Sequence, residues 1–291
     1  VGESWELSGM PGSESVVAEG PWTGSTLPEL IGRFGAELLG KANYARFGQE
    51  FPLLVKFIDA REDLSIQVHP DDELARKRHG KSGKCEMWYV LEAEPGASLL
   101  TGFSRPIAPA EYERRVADNT LTDVLNRQAI ASGDVFYLPA GRVHSIGKGS
   151  FIVEIQQSSD ITYRIYDFDR RDAAGNSREL HTELAREAID FESSENSRIT
   201  YAPENNQEVR LVTTPYFTTS LYTLTARTRC DWSATDSFVA IVLLQGSGSL
   251  TDNEGNRIDV RQGETWLLPA STQWTEITPH TATLRLLTSR I

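Results

Sequence analysis

The sequence predicts a mainly β protein made of two β-barrel-like halves with a few helices. Three observations support this fold class. From residue 51 onward the chain consists of short apolar runs, rich in β-branched and aromatic residues and broken by Gly, Pro and Asp, which is typical of strands. A segment that begins at Gly133 recurs in altered form from Gly263. Helical periodicity is confined to three stretches.

The first of these stretches covers residues 27–39, where apolar side chains recur at helical spacing. The predicted strands follow it, and the apolar runs that define them in the first half are FPLLVKFI, LSIQVHP, MWYVLEA, SLLTGF, DVFYLPAG, FIVEIQQ and ITYRIYDF. Residues 110–129 interrupt the strands and read as one or two helices. Residues 179–191 predict another helix, with Thr182 as its N-cap. His181 is expected to help cap that helix, with a place at the rim of a site as the alternative.

The internal repeat sets the predicted domain boundaries. The segment GDVFYLPAGRVHSI from Gly133 aligns without gaps with GETWLLPASTQWTEI from Gly263, and His144 aligns with Trp274. The second copy keeps the strand–turn–strand pattern but lacks the histidine. We therefore predict a metal-binding catalytic domain at 1–191, a polar linker at 192–208 and a degenerate domain without metal ligands at 209–291.

Composition excludes several classes of function. The chain has 291 residues and a formal net charge of −12, which argues against nucleic acid as a partner. Its longest apolar run, 238–244, is much shorter than the roughly 20 residues of a membrane-spanning helix. We expect no secretion signal, because no basic segment followed by an apolar one opens this sequence, and two cysteines do not make a disulfide framework. We expect a cytoplasmic protein that neither binds nor crosses a membrane.

Four residues predict a metal site. Gln67 and His69 are two positions apart on a predicted strand, so their side chains share one face. Glu86 begins the next predicted strand, and His144 follows a turn that contains Pro139 and Gly141. Two imidazoles, one carboxylate and one amide oxygen suit a single Zn²⁺ first, and manganese, iron, cobalt or nickel fit as well.

Several longer motifs then carry a family resemblance. The segment from Gly133 to His144 is similar to the second motif of the cupin superfamily, and QVH with Glu86 resembles a modified first motif. The stretches PLLVKFIDAREDLSIQVHPDDELA, GKCEMWYVLEAEPGA, PAGRVHSIGKG and QQSSDITYRIYDFDR resemble type I phosphomannose isomerases, in the short bacterial form. This resemblance covers nearly the whole chain and implies two cupin-like (jelly-roll) halves.

The resemblance also implies an activity and a site. Members of the family interconvert mannose 6-phosphate and fructose 6-phosphate with a bound zinc, whose ligands fall here on the four residues already named. It marks Arg164 as catalytic and places Lys84, Asp160 and Lys56 in the active site. Arg164 is always charged, so we expect it to stabilise enediolate charge, and Lys84 and Asp160 are candidates for proton transfer. Weaker candidates for contacts with the phosphate are Ser65, Lys56, Arg142 and Lys148.

One departure from the family pattern lies at the start of the chain. Family members usually have an extra strand and a Trp-Gly-Gly turn before the stretch that begins at Gly2, and the chain starts at Val1 without them. Either an upstream segment supplies them, or the first sheet lacks one element and the site lacks part of its rim. Cys85 differs from the Pro or Thr often found at its position, and alternation is expected to point it away from the metal.

Other functions remain alternatives at this point. An isomerase of another sugar phosphate, such as glucose 6-phosphate, would show the same fold and ligands. A non-catalytic sugar-binding cupin has little need of Arg164, Lys84 and Asp160 beside the metal, and nothing in these motifs suggests the oxygen chemistry of an iron-dependent cupin oxygenase. The partner is expected to be a phosphorylated hexose, and the sequence leaves both a monomer and a homodimer open.

Overall fold

A computed structural model describes residues 2–171, 174–192 and 196–291, and it is mainly β. The strands of the first half are β1 Gly2–Leu7, β2 Leu53–Ala60, β3 Ile66–Val68, β4 Glu86–Ala93, β5 Ser98–Phe103, β6 Leu125–Ala129, β7 Val135–Leu138, β8 His144–Ile146, β9 Ser150–Gln157, β10 Tyr163–Tyr166 and β11 Arg198–Ile199. Those of the second half are β12 Glu208–Thr213, β13 Thr218–Leu224, β14 Thr228–Asp231, β15 Val239–Gln245, β16 Ser247–Asp252, β17 Arg257–Arg261, β18 Thr265–Leu268, β19 Trp274–Pro279 and β20 Leu284–Arg290. The helices are α1 Leu27–Phe34, α2 Ala36–Leu39, α3 Lys41–Phe47, α4 Asp72–His79, α5 Pro109–Ala117 and α6 Thr182–Ala188, with a 3₁₀ turn at Leu121–Val124.

The first compact unit contains the residues up to Ser4 together with Leu54–Ile199. Its strands contribute to a six-stranded sheet, in the order β1-β2-β9-β4-β7-β11, and a five-stranded sheet, in the order β10-β3-β8-β5-β6. Ile66 and Val68 of β3 pack in one core cluster with residues of α5 and α6, such as Tyr112 and Ala185. Because side chains alternate along a strand, Gln67 between them points to the opposite face, towards the other sheet.

The second unit joins Trp5–Leu53 to Thr200–Ile291. It has a five-stranded sheet, β12-β13-β20-β15-β18, and a four-stranded sheet, β14-β19-β16-β17. The N-terminal helices belong to the second unit because hydrogen bonds and a ring contact join residues 41–51 to residues 236–238. The carboxylate of Asp236 accepts hydrogen bonds from the backbone N–H groups of Lys41 and Ala42, at 2.7 and 2.9 Å. The rings of Phe51 and Phe238 have their centroids 4.7 Å apart.

This division differs from the predicted boundaries. We expected the N-terminal helix to accompany the metal-binding domain, because the two are adjacent in sequence. Instead the predicted linker, 192–208, is divided between the units: Arg198 and Ile199 form β11, which pairs with β7 in the first unit, and the residues from Thr200 belong to the second. Of the predicted linker, residues 193–195 lie outside the described residues.

Local differences from the predicted elements have simple causes. The helix predicted over 27–39 is divided at Gly35, whose φ is 51°, a left-handed conformation that interrupts helical hydrogen bonding. The end of the stretch predicted as helix at 110–129 is strand β6, which pairs with β5. Thr182 is the first residue of α6 rather than its N-cap, and His181 occupies the cap position without a capping side-chain bond. Within the described parts of the chain, no helix is long and apolar enough to span a membrane.

Candidate metal centre and active site

Three predicted ligands meet between the two sheets of the first unit. His69 follows β3 and His144 begins β8 in one sheet, while Glu86 begins β4 in the other. The Nε2 atoms of His144 and His69 lie 3.1 and 3.4 Å from the two oxygens of Glu86. Atoms bound about 2 Å from a tetrahedral ion lie roughly 3.4 Å apart. The spacing of these three groups therefore fits one transition-metal ion.

The two histidines are oriented by backbone carbonyl groups. Nδ1 of His69 lies 2.8 Å from the carbonyl oxygen of Ile161, and Nδ1 of His144 lies 2.8 Å from that of Arg142. A carbonyl oxygen only accepts hydrogen bonds, so each Nδ1 carries the proton and each Nε2 presents its lone pair to the centre. Histidines that bind a metal through one ring nitrogen typically donate a hydrogen bond from the other nitrogen in this way.

Gln67 supplies the fourth predicted ligand. Its Cα is paired with that of His144 between β3 and β8, and its amide nitrogen lies 3.3 Å from Nε2 of His144. Rotation about the last side-chain bond exchanges the amide nitrogen and oxygen, so the oxygen reaches the same place. The structure thus brings all four predicted ligands to one centre.

The polar atoms at this centre lack the partners that burial requires. Nε2 of His69 and both oxygens of Glu86 are buried without a hydrogen bond of acceptable geometry to any described residue. The Lys84 ammonium lies 3.0 Å from one Glu86 oxygen but is poorly directed for a hydrogen bond. Unsatisfied buried polar groups are costly, and a cation would satisfy all three atoms.

The electrostatics of the centre favour the states in which these residues bind metal. Burial lowers the pKa of His69 from 6.5 to about 3, and burial also lowers the pKa of His144. Both rings are therefore neutral at physiological pH. Burial alone would raise the pKa of Glu86, but the positive charge of Lys84 beside it holds the pKa well below its ordinary value. Neutral imidazoles and an ionised carboxylate are the forms that coordinate a divalent ion.

Lys84 is held beside the centre by its backbone. Its N–H donates to the carbonyl of Pro70 at 3.1 Å. The N–H of the preceding residue, Gly83, donates to the Asp72 carboxylate at 2.9 Å. A Cβ on Gly83 would come within 2.5 Å of the backbone of Asp71, so only glycine permits this close approach. The sequence KCE thus places a buried lysine next to the carboxylate of Glu86, the predicted metal ligand.

Arg164 lies on the neighbouring strand. Its Cα pairs with that of Gln67 between β10 and β3, and directly opposite residues have side chains on the same face. Its Nη1 donates to the carbonyl of Glu179 at 3.0 Å, and its backbone N–H donates to Nδ1 of His181 at 3.2 Å. Burial is the main cause that lowers the pKa of Arg164, and a guanidinium stays charged at any physiological pH.

An ionic cluster lies on the six-stranded sheet. Of its members, only Lys56 was predicted from the sequence. Lys56, a predicted site residue, has its ammonium 3.3 Å from Glu154 and 3.0 Å from Glu3. Glu154 also accepts a hydrogen bond from the indole N–H of Trp88 at 3.0 Å, and Trp88 packs edge-on against His144. The sequence signal for Glu154 was available, since it is the one charged residue in the apolar strand FIVEIQQ.

The remaining predicted residues are placed less centrally. Asp160 is about half-exposed and pairs with the exposed Lys81 at 2.9 Å. Lys148 is exposed, with its backbone N–H bonded to Asp63. Ser65 and Arg142 are buried, and Nη1 of Arg142 donates to Ser197.

Cys85 points away from the metal centre, as its position in the strand predicted. Its sulfur accepts a hydrogen bond from the backbone N–H of Ala140 at 3.3 Å, and burial raises the pKa of the thiol. The thiol is therefore protonated at physiological pH.

Comparisons with known proteins identify the family of the chain. A family model described as the catalytic domain of type I phosphomannose isomerase matches residues 1–101. The mannose-6-phosphate isomerase of Streptococcus mutans is 35% identical over 269 residues, which are 92% of this chain and 82% of that protein. The mannose-6-phosphate isomerase ManA of Bacillus subtilis is 34% identical over 272 residues, with 92% and 83% covered.

Solved structures show the same fold. A crystal structure of the mannose 6-phosphate isomerase from Bacillus subtilis matches with a TM-score of 0.88 and 31% identity, covering 100% of this chain and 90% of that one. A crystal structure of a mutant phosphomannose isomerase from Salmonella typhimurium is 16% identical at a TM-score of 0.77, over 99% and 90% of the two chains, and supports the fold alone. By its identity to the curated relatives over nearly its whole length, this chain belongs to the type I phosphomannose isomerase family.

Proposed function

We propose that this protein is a metal-dependent aldose–ketose isomerase that interconverts mannose 6-phosphate and fructose 6-phosphate. The observation that carries the proposal is the buried centre of Gln67, His69, Glu86 and His144 in a chain whose relatives bear the name of this activity. Nε2 of His69 and both oxygens of Glu86 are buried without hydrogen bonds to the described residues, and a bound cation would stabilise them. Zinc is the ion we propose, since nitrogen and oxygen ligands at this spacing suit it.

The reaction moves a proton between C1 and C2 of the open-chain sugar and redistributes another between O1 and O2. When bound, a divalent ion supplies electrophilic stabilisation of the sugar oxygens. The protein must then provide proton transfer, a fixed positive charge for the enediolate, and a contact for the phosphate group.

We assign proton transfer to Lys84 at its Nζ atom. This atom is 3.0 Å from the carboxylate of Glu86 and is buried, so it faces the place where the sugar oxygens must lie. Asp160 was the other candidate, and its exposed ion pair with Lys81 makes it the weaker one.

We assign the stabilisation of enediolate charge to Arg164. Its position opposite Gln67 places its side chain on the face of the sheet that carries the centre. The contact of its backbone with His181 and the bond of Nη1 to the carbonyl of Glu179 hold the residue before substrate arrives. A donor that needs no reorganisation during the reaction stabilises developing charge most effectively.

We propose that the protein is located in the cytoplasm and that its partner is a phosphorylated hexose. The protein is proposed to act as a monomer or homodimer. Both cysteines, Cys85 and Cys230, are buried free thiols, which suits a reducing compartment.

The test is a coupled assay that converts mannose 6-phosphate to fructose 6-phosphate, with glucose 6-phosphate as a parallel substrate. Activity that chelation abolishes and zinc restores, and that is far stronger with mannose 6-phosphate, is the expected result. Metal-loaded protein that is inactive on mannose 6-phosphate, or that prefers glucose 6-phosphate, would overturn the proposed substrate. Activity that survives complete chelation would overturn the proposed role of the metal.

A further inference from the structure

The segment that follows β10 carries an arginine cluster for which the reaction described so far has no use. Arg170 and Arg178 both reach the carboxylate of Asp167, which is itself buried. The cluster lies next to Arg164, because Nη1 of Arg164 donates to the carbonyl of Glu179, the residue that follows Arg178 in the chain. The positive charge of Arg178 accordingly contributes to lowering the pKa of Arg164, after the larger effect of burial.

The backbone of this segment is shaped to build the cluster. Phe168 and Asp169 both have positive φ angles of 54°, a left-handed conformation that is uncommon for residues other than glycine. Two such residues in succession turn the chain back on itself, so that Arg170 reaches Asp167. Strained backbone of this kind concentrates at functional sites.

The two arginines differ in how far their donors are used. All three nitrogens of Arg170 have acceptors: Asp167 twice, and the carbonyl of Asp63 at 2.7 Å. Arg178 uses Nε and Nη2 on the two oxygens of Asp167. Its Nη1 has no partner among the residues that the structure describes, and its side chain is 53% exposed. Asp167 shares its charge between two arginines, so Arg178 keeps uncompensated positive charge and free donors.

Arg164 offers donors on the same side. Its Nε is buried without a hydrogen-bond partner within the described residues, although its Nη1 is bonded to Glu179. An anion placed between Arg164 and Arg178 would satisfy both. Phosphate oxygens are the acceptors that arginine donors fit best.

The position is also right for a hexose 6-phosphate. C1 and C2 react at the metal centre, so the phosphate lies at the far end of the sugar. Gln67 lies at the centre and Arg164 lies on the adjacent edge strand β10. The segment that carries Arg178 continues past this edge, since the backbone N–H of His181 donates to the carbonyl of Arg164.

We propose that Arg178, held by Asp167 and Arg170, binds the phosphate group of the substrate and makes the enzyme selective for phosphorylated hexoses. This inference rests on the proposed function for its substrate. It places the phosphate contact on a residue other than the four predicted from sequence, Ser65, Lys56, Arg142 and Lys148.

The test compares Arg178→Gln with Arg171→Gln. Arg171 lies in the same segment, is exposed, and donates to the carbonyl of Gly175 rather than to Asp167, so it is a matched control for lost charge. We expect Arg178→Gln to raise the KM for mannose 6-phosphate about 10- to 100-fold, as befits a charge-assisted hydrogen bond. The kcat should change less than about fivefold. The control should leave both nearly unchanged.

Inorganic phosphate serves as a second probe, by titration calorimetry and as an inhibitor. The affinity for inorganic phosphate should fall in Arg178→Gln and stay the same in Arg171→Gln. It should fall less in Arg178→Lys, because lysine keeps the positive charge but lacks the paired donors of the guanidinium. Unchanged KM and unchanged phosphate affinity in Arg178→Gln would overturn the inference. So would a loss of kcat alone, since that would show that the residue acts on the reacting end of the sugar.

These readouts separate the inference from the proposed function. Wild-type protein that binds inorganic phosphate through Arg178 but does not isomerise mannose 6-phosphate would remove the isomerase proposal and keep the phosphate site. If Arg178→Gln does not fold, as judged by circular dichroism, Arg178→Lys retains the contact with Asp167 and decides the question by the same two measurements.

Discussion

The two units of the chain contain the same strand–turn–strand repeat but bury different side chains beside it. In the first unit, Glu86 of β4 pairs with Leu138 of β7. In the second, Val239 of β15 pairs with Leu268 of β18, the leucine that aligns with Leu138 in the repeat. Val239 therefore occupies the position of Glu86, and it joins an apolar core cluster where Glu86 meets two histidines.

The strand that carries the repeat's histidine shows the same change. His144 pairs with Gln67 in the first unit, and Trp274, which aligns with His144, pairs with Asp231 in the second. Asp231 is exposed and bonds to the backbone N–H of Ser233. The second unit thus keeps the strand pairing without the ligands. Turns and apolar strands therefore specify this fold, while the metal centre depends on a few side chains on those strands.

The largest expected effect comes from removing the carboxylate of Glu86, which the first unit has and the second unit lacks. Glu86→Gln keeps the shape of the side chain and loses its charge, so metal binding should fail. We expect activity on mannose 6-phosphate to fall about a thousandfold or more, and metal content to approach zero by mass spectrometry. Glu92→Gln changes an exposed residue of the same strand and should behave like wild type. Full metal occupancy in Glu86→Gln would contradict the assignment.

A lysine next to the carboxylate is the second feature that the second unit lacks. We expect Lys84→Ala to lower kcat about 100-fold or more, because it removes a positioned proton-transfer group. Lys81→Ala and Asp160→Asn alter an exposed pair and should change kcat less than about threefold. Steady-state kinetics on metal-loaded proteins decide this. Unimpaired turnover in Lys84→Ala, or a severe loss in Asp160→Asn, would return the role to Asp160.

The buried histidines of the first unit also predict a dependence of stability on pH. The folded pKa of His69 is about 3, below the ordinary value of 6.5, so the unfolded chain binds more protons between these values. Metal-free protein should therefore lose stability as the pH falls below 6.5, by about 1.4 kcal/mol per pH unit from this residue.

Urea unfolding of chelated protein between pH 7 and 5 measures this slope. His69→Gln should make it shallower, whereas His280→Gln, at an exposed position of the second unit, should leave it as it is. Equal slopes for wild type and His69→Gln would show that His69 is not held neutral by burial.

The smallest effect is expected from restoring the missing histidine in the second unit. Trp274→His removes the contact between the Trp274 ring and the Arg229 guanidinium, whose carbon lies 4.1 Å from the ring centroid, at a cost of about 0.5–1 kcal/mol. Without a carboxylate at position 239 it should bind no second ion. Metal content that rises from one to two ions per chain would show that a single histidine is enough.

Much of this protein is determined by local sequence patterns. Alternation in SIQVHP places Gln67 and His69 on one face, and the turn before His144 is fixed by residues next to it. The apolar runs gave the strands because a strand's pattern can be recognised within a few residues. The repeat likewise predicted that the second half would fold alike without the ligands, as the alignment of His144 with Trp274 indicates.

Only the tertiary structure decided which distant side chains meet. Asp160 and Lys84 looked equivalent in sequence, yet Asp160 faces solvent and Lys84 lies beside Glu86. The difference arises because the backbone at Gly83 and Lys84 is hydrogen-bonded to Asp72 and Pro70, across the turn that follows β3. The attachment of residues 5–53 to the second unit and the arginine cluster around Asp167 were hidden for the same reason. Strand pairing, loop path and burial are set by the packing of the whole chain, and a local pattern carries no record of them.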